Sequence, residues 1–189
     1  MAAMRRRDFL KYAGLSMAVI YVGGCGGGGG AAGGNGAGGP AVATLNVTIT
    51  DALKEMVTHQ THPDTPPAVR NVAECYFWVY QISDATNPAN VIAFPAECPG
   101  PNIFCKTGDS ITLNVTNTLT LPHAFSIPGM VDTLPIAPGA TVTQTFTVGA
   151  AGTYFYHDNL NAPVNRVMGL HGAFIVMPAA VETAATAIT

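Results

Sequence analysis

The sequence predicts an all-β protein, a sandwich or barrel of short strands. Three observations carry that prediction. Several runs alternate apolar and polar residues with a period of two, the pattern of a strand with one buried face and one wet face. Turn signals separate the runs: Pro99-Gly100-Pro101, Gly108-Asp109, Pro128-Gly129, Pro138-Gly139, Gly149 and Gly152. Finally, 48% of the residues are hydrophobic and only 10% are charged, which gives enough apolar surface for a core and too little charge for a disordered chain. Many short strands between Gly and Pro turns indicate a sandwich or barrel.

The first segment is a leader. Arg5, Arg6, Arg7 and Lys11 precede a short apolar stretch from Tyr12 to Val22. That stretch is too short to span a bilayer as a helix, which needs about 20 residues. A basic start, a short apolar middle and small residues at the end make a signal peptide over residues 1–24. Arg6-Arg7-Asp8-Phe9-Leu10-Lys11 resembles the twin-arginine export motif, and Val22-Gly23-Gly24-Cys25 resembles a bacterial lipobox. The second resemblance implies lipidation of Cys25 and a membrane anchor at the periplasm or cell surface. Residues 25–40 are mostly Gly and Ala and read as a flexible tether. Residues 41–180 then form the folded domain, and 181–189 a tail.

Charge narrows the function. Without the four basic residues and Asp8 of the leader, 8 basic and 11 acidic residues become 4 and 10, a net of −6. So acidic a body is a poor partner for nucleic acid, whose phosphates need cations.

Within the domain, Leu45-Asn46-Val47-Thr48-Ile49-Thr50 alternates and predicts a strand. Residues 51–57 are the one place for a helix, and a short one. The loop over 58–71 is long and polar. It holds His59 and His62, with Met56 just before, a spacing that suits copper or zinc. A solvated loop is the preferred reading, because nothing there fixes ligands in place. Residues 72–82 are a nearly continuous apolar run, as are 173–177, and both suit buried strands. Residues 110–116 alternate without a fault, and 141–148 do so except at Gln144. Trp78, Tyr76, Tyr80, Tyr154 and Tyr156 sit in these runs as core residues. Besides Cys25 there are Cys75, Cys98 and Cys105. An oxidising compartment allows one disulfide. Cys98 with Cys105 is the first choice, and Cys75 with either stays open, since connectivity does not follow from sequence.

From about residue 90 to 178 the chain resembles the first cupredoxin-like, or plastocyanin-like, domain of the multicopper oxidases. It is also similar to the two-domain nitrite reductases. The resemblance rests on motifs in order. Pro99-Gly100-Pro101-Asn102-Ile103 and Gly108-Asp109-Ser110-Ile111 look like the opening "PGP-x-I … GD-x-I". Asn117-Thr118-Leu119 and Leu121-Pro122-His123 resemble the strand end that carries the first histidine. Ile136-Ala137-Pro138-Gly139 matches the "I-x-PG" turn, and Gly152-Thr153-Tyr154-Phe155-Tyr156-His157 is close to "GTYWYH". Residues 168–176 resemble the closing "GL-x-G-x-x-IV" strand. This implies a Greek-key β-sandwich of the cupredoxin type with copper as cofactor.

The same resemblance marks what has changed. In the family the histidines come as His-x-His pairs, since residues i and i+2 of a strand face the same side. Here Phe125 follows His123 and Asn159 follows His157 at that spacing. A trinuclear centre also draws its histidines from two domains, so this chain alone is not expected to reduce oxygen. A blue-copper site needs two His, a Cys and a weak axial Met. Asp158 stands where the nitrite reductases carry the Cys, and Leu170 where the axial Met would be. The remaining metal candidates are His123, His157, His171 and Asp158. The preferred set is His123 with His171, plus either His157 or Asp158, because adjacent residues on a regular strand point to opposite faces. Met168 is a soft candidate that more often serves as core. No catalytic residue, phosphate loop or nucleophilic serine stands out. The expected role is copper handling or electron transfer at the cell envelope. The alternatives are a copper oxidoreductase acting as a homo-oligomer or with a redox partner protein, and a metal-free interaction module.

Overall fold

The computed structural model describes residues 19–22, 40–58 and 71–179. Eleven strands and one short helix lie among them. In chain order they are β1 (Val19–Tyr21), β2 (Val42–Thr58), β3 (Asn71–Asp84), β4 (Ile92–Ala93), β5 (Asn102–Lys106) and β6 (Ser110–Asn117). There follow β7 (Ser126–Ile127), β8 (Val131–Asp132), β9 (Thr141–Thr147), β10 (Gly152–His157), α1 (Ala162–Val167) and β11 (His171–Met177). One sheet has the order β1-β5-β11-β10-β7-β8, the other β4-β3-β2-β6-β9. The predicted sandwich is therefore present. Cys25, His59 and His62 lie outside the described residues.

Period-two patterning builds the core as expected. β2 turns Ala43, Leu45, Val47 and Ile49 inward, and β6 turns Ile111, Leu113 and Val115 inward, each at most 1% exposed. The opposite sheet answers with Ile103, Cys105, Tyr156, Phe174 and Val176. Each such aliphatic side chain contributes about 1.5–3 kcal/mol by leaving water. The Gly108-Asp109 turn has its own logic. Gly108 takes φ +89°, and buried Asp109 accepts the N–H of Ala41 (2.8 Å) and of Lys106 (2.7 Å). That carboxylate ties the start of β2 to the β5–β6 turn.

Three expectations change. Residues 51–57 are not helical. They continue β2 and pair residue by residue with β3 as far as Thr58↔Asn71. A helix that short has little stability of its own, whereas β3 offers a complete ladder. The helix forms instead at α1, where Pro163 lies in the first turn and Gly169, at φ +118°, follows its end. The Cys98–Cys105 bridge is absent, and Cys75, Cys98 and Cys105 are all free thiols. Cys105 points into the core of β5, while the Cys98 sulfur lies against Gly169 beside the backbone of Trp78. Burial, and after it the nearby Asp109 charge, pushes the Cys105 thiol up to about 12. The third change concerns residues that the sequence assigns to a leader: Val19–Tyr21 forms β1, parallel to β5.

Candidate metal centre

The loop before His123 is organised by a buried asparagine. The Asn117 amide donates to the carbonyls of Leu121 (2.8 Å) and Ile136 (2.9 Å), and its oxygen accepts the Leu119 N–H (3.0 Å). His123 then pairs with Ile136 through an isolated bridge. This delivers its imidazole inward, with 1% exposure. At the end of β10 the strand alternation sends neighbours apart. His157 faces the outer surface of the sheet, and Asp158 faces inward with no exposure.

The inward pair is closed. His123 Nδ1 and Asp158 Oδ2 share a buried hydrogen bond of 2.7 Å. Asp158 Oδ1 accepts the Leu160 N–H at 2.9 Å. Trp78 packs edge-on to the imidazole, with centroids 5.1 Å apart, and His123 Nε2 is buried with no protein partner. Leu170 is fully buried, and the Asp158 N–H donates to its carbonyl. Phe125, at the position of the lost second histidine, is fully buried and stacks on Tyr156, centroids 5.2 Å apart. The phenols of Tyr80 and Tyr156 are pushed up, foremost by burial.

The outward pair is open. His157 lies directly opposite His171 in the β10–β11 register, which puts the two Cβ atoms about 4.5–5.5 Å apart. Both are half-buried. His171 Nδ1 donates to the Arg166 carbonyl at 2.9 Å, leaving Nε2 with its lone pair. His157 Nδ1 is buried with no protein partner. A groove of about 690 Å³ runs beside them, walled by Phe155, Pro128, Pro163, Arg166 and Val167. Glycine at 172 is required here, because any side chain would run into the Tyr156 ring.

The preferred set is thus divided. His123 meets Asp158 in the interior, and His157 meets His171 outside. Among the described residues no group of three or more His, Cys, Asp or Glu comes together for a metal ion. Strand parity separated His157 from Asp158 as expected, but it did not show that Asp158 would answer His123. The Arg166 carbonyl was not legible either, because it depends on α1. At the position of the second missing histidine, Asn159 donates to Asp132 at 2.7 Å.

Comparison with known proteins agrees with this architecture. The multicopper oxidase family profile matches residues 79–181, and the chain belongs to that family. It is 34% identical over 102 residues to an L-ascorbate oxidase of Cucumis sativus, covering 47% of this chain and 17% of that protein. It is 32% identical over 119 residues to an iron transport multicopper oxidase of Saccharomyces cerevisiae, covering 52% and 19%. The matches thus span less than a fifth of these relatives. A solved multicopper oxidase, mgLAC, aligns with TM-score 0.50 at 25% identity, covering 73% of this chain and 39% of that one. Family membership implies copper as the cofactor.

The interior does not fit a blue copper. Asp158, at the position where the resemblance would put the thiolate, is hydrogen-bonded to the imidazole instead, and Leu170 offers no sulfur. The outer pair fits copper better. Imidazoles suit copper, a ligating histidine commonly donates its other N–H to a carbonyl, and His157, opposite His171 in the ladder, has a ring nitrogen with no protein partner.

Proposed function

We propose that this protein is an exported copper-binding cupredoxin, tethered to a membrane through Cys25, that serves copper handling or electron transfer at the cell envelope. Copper is held between His157 and His171. The observation that carries this reading is the cross-strand pairing of the two imidazoles, one already oriented by the Arg166 carbonyl. Two imidazoles leave coordination positions open, which favours passing an ion on over locking it in place. The leader and lipobox residues support the tether, and among the described residues no helix is long and apolar enough to cross a membrane.

The test is copper content. The full chain is loaded with Cu(II), desalted and measured. About one copper per chain is expected, and His157→Ala or His171→Ala should abolish its retention. Retention unchanged in both variants would refute the site.

A second reading is a copper oxidoreductase assembled from several copies or with a redox partner. The observation in its favour is the apolar collar on the same face: Phe155 is 63% exposed and Val167 81%. Sedimentation of the copper-loaded chain as a monomer at all concentrations would remove the version built on copies of this chain.

A further inference from the structure

The β2–β3 ladder runs past the sheet that supports it. β6 pairs with β2 only as far as Ile49↔Asn117, whereas β3 follows β2 to Thr58↔Asn71. Beyond Ile49 the two strands therefore continue as a ribbon. Ile49 lies opposite Tyr80, Asp51 opposite Trp78 and Leu53 opposite Tyr76, so by strand parity all share one face. Ile49 and Tyr80 belong to the core, and Asp51 and Tyr76 carry the same face out to solvent. The chain that follows β6 is fastened to the base of this ribbon. Thr118 donates both its N–H (2.9 Å) and its hydroxyl (2.8 Å) to the Ile49 carbonyl.

Between them lies a cavity of about 280 Å³, lined by Asp51, Tyr76, Trp78, residues 118–121 and His123. Its chemistry is one-sided. An ionised Asp51 can only accept hydrogen bonds, and Thr118 has spent its proton on Ile49, so its oxygen accepts too. His123 Nδ1 is taken by Asp158, and Nε2 is buried with no protein partner. The one ion pair among the described residues is His123–Asp158, so no cation there neutralises Asp51. Aromatic rings add to this, because their faces attract cations. We propose that the cleft binds the ammonium group of a small primary amine. Asp51 and Thr118 accept its N–H bonds, and Tyr76 and Trp78 flank its alkyl chain. The cavity lies at the small end of ligand sites, which sets the size of the amine. No residue lining it lines the groove beside His157 and His171, so the site does not depend on copper.

Trp78 is the only tryptophan of the chain, so its fluorescence reads this cavity directly. The full chain is stripped of metal with a chelator, so that no amine can ligate copper. It is then titrated at constant ionic strength with butylammonium, with tetramethylammonium and with 1-butanol. Butylammonium should give a saturable change. Tetramethylammonium, a cation without N–H, and 1-butanol, a neutral analogue, should each bind on the order of tenfold more weakly. Asp51→Asn should weaken butylammonium about fivefold or more, and Tyr76→Ala about two- to fivefold. Both side chains are exposed, so the variants should melt with the native chain. The absence of a saturable change, an equal response to all three probes, or unchanged affinity in Asp51→Asn would overturn the site. Tighter binding of N-acetyl-lysinamide than of butylammonium would overturn the free amine in favour of a lysine side chain.

Discussion

His123 and His157 both lie at strand ends of one sandwich, yet they do different work. His123 is buried, bonded to Asp158 and flanked by Trp78. His157 is half-buried, faces His171 and borders a groove. Both resemble histidines of the same family, so residue type and motif do not separate them. What separates them is the neighbour. A buried carboxylate engages one nitrogen of His123, which is set apart from any second imidazole, whereas His157 has a second imidazole directly across the ladder beside a groove.

The largest effect should come from breaking the inner pair. Asp158→Ala leaves the His123 N–H buried and unpaired, costing up to about 3 kcal/mol in urea unfolding. Copper retention at the outer pair should survive wherever the variant is folded. Next, Gly172→Ala forces a methyl against the Tyr156 ring, on the strand that carries His171. It should cost about 1–3 kcal/mol and weaken copper binding as well, because β11 must shift. A third change sharpens the contrast from outside. His171→Ala should lower copper affinity on the order of 100-fold or more while moving stability by less than about 0.5 kcal/mol.

The smallest effect is a pH slope. The Cys105 thiol is held up to about 12 against an ordinary 9.0. Above pH 9 the unfolded chain therefore releases a proton that the folded chain keeps. Stability is full below that pH and falls as pH rises toward 12. The raised phenols of Tyr80 and Tyr156 add to the fall above about pH 10, their ordinary value. Urea midpoints measured from pH 8 to 10 should decline in the native chain and flatten in Cys105→Ala.

The fold was largely legible because it is written in local patterns. The alternation in β6 and the Gly108-Asp109 turn can be read one residue at a time. Residues 51–57 misled because their strand exists only through β3, a partner distant in sequence. The site was legible as a set of residues but not as a partition. Parity put His157 and Asp158 on opposite faces, yet the meeting of Asp158 with His123 spans 35 residues and four strands. The role of the Arg166 carbonyl depends on where α1 ends, which no spacing rule fixes.

The most direct measurement is electron paramagnetic resonance of the Cu(II)-loaded chain beside His157→Ala and His123→Asn. The account predicts a non-blue signal with imidazole nitrogen couplings, lost in His157→Ala and unchanged in folded His123→Asn. A signal that survives His157→Ala and disappears in folded His123→Asn would place copper in the interior and contradict the partition.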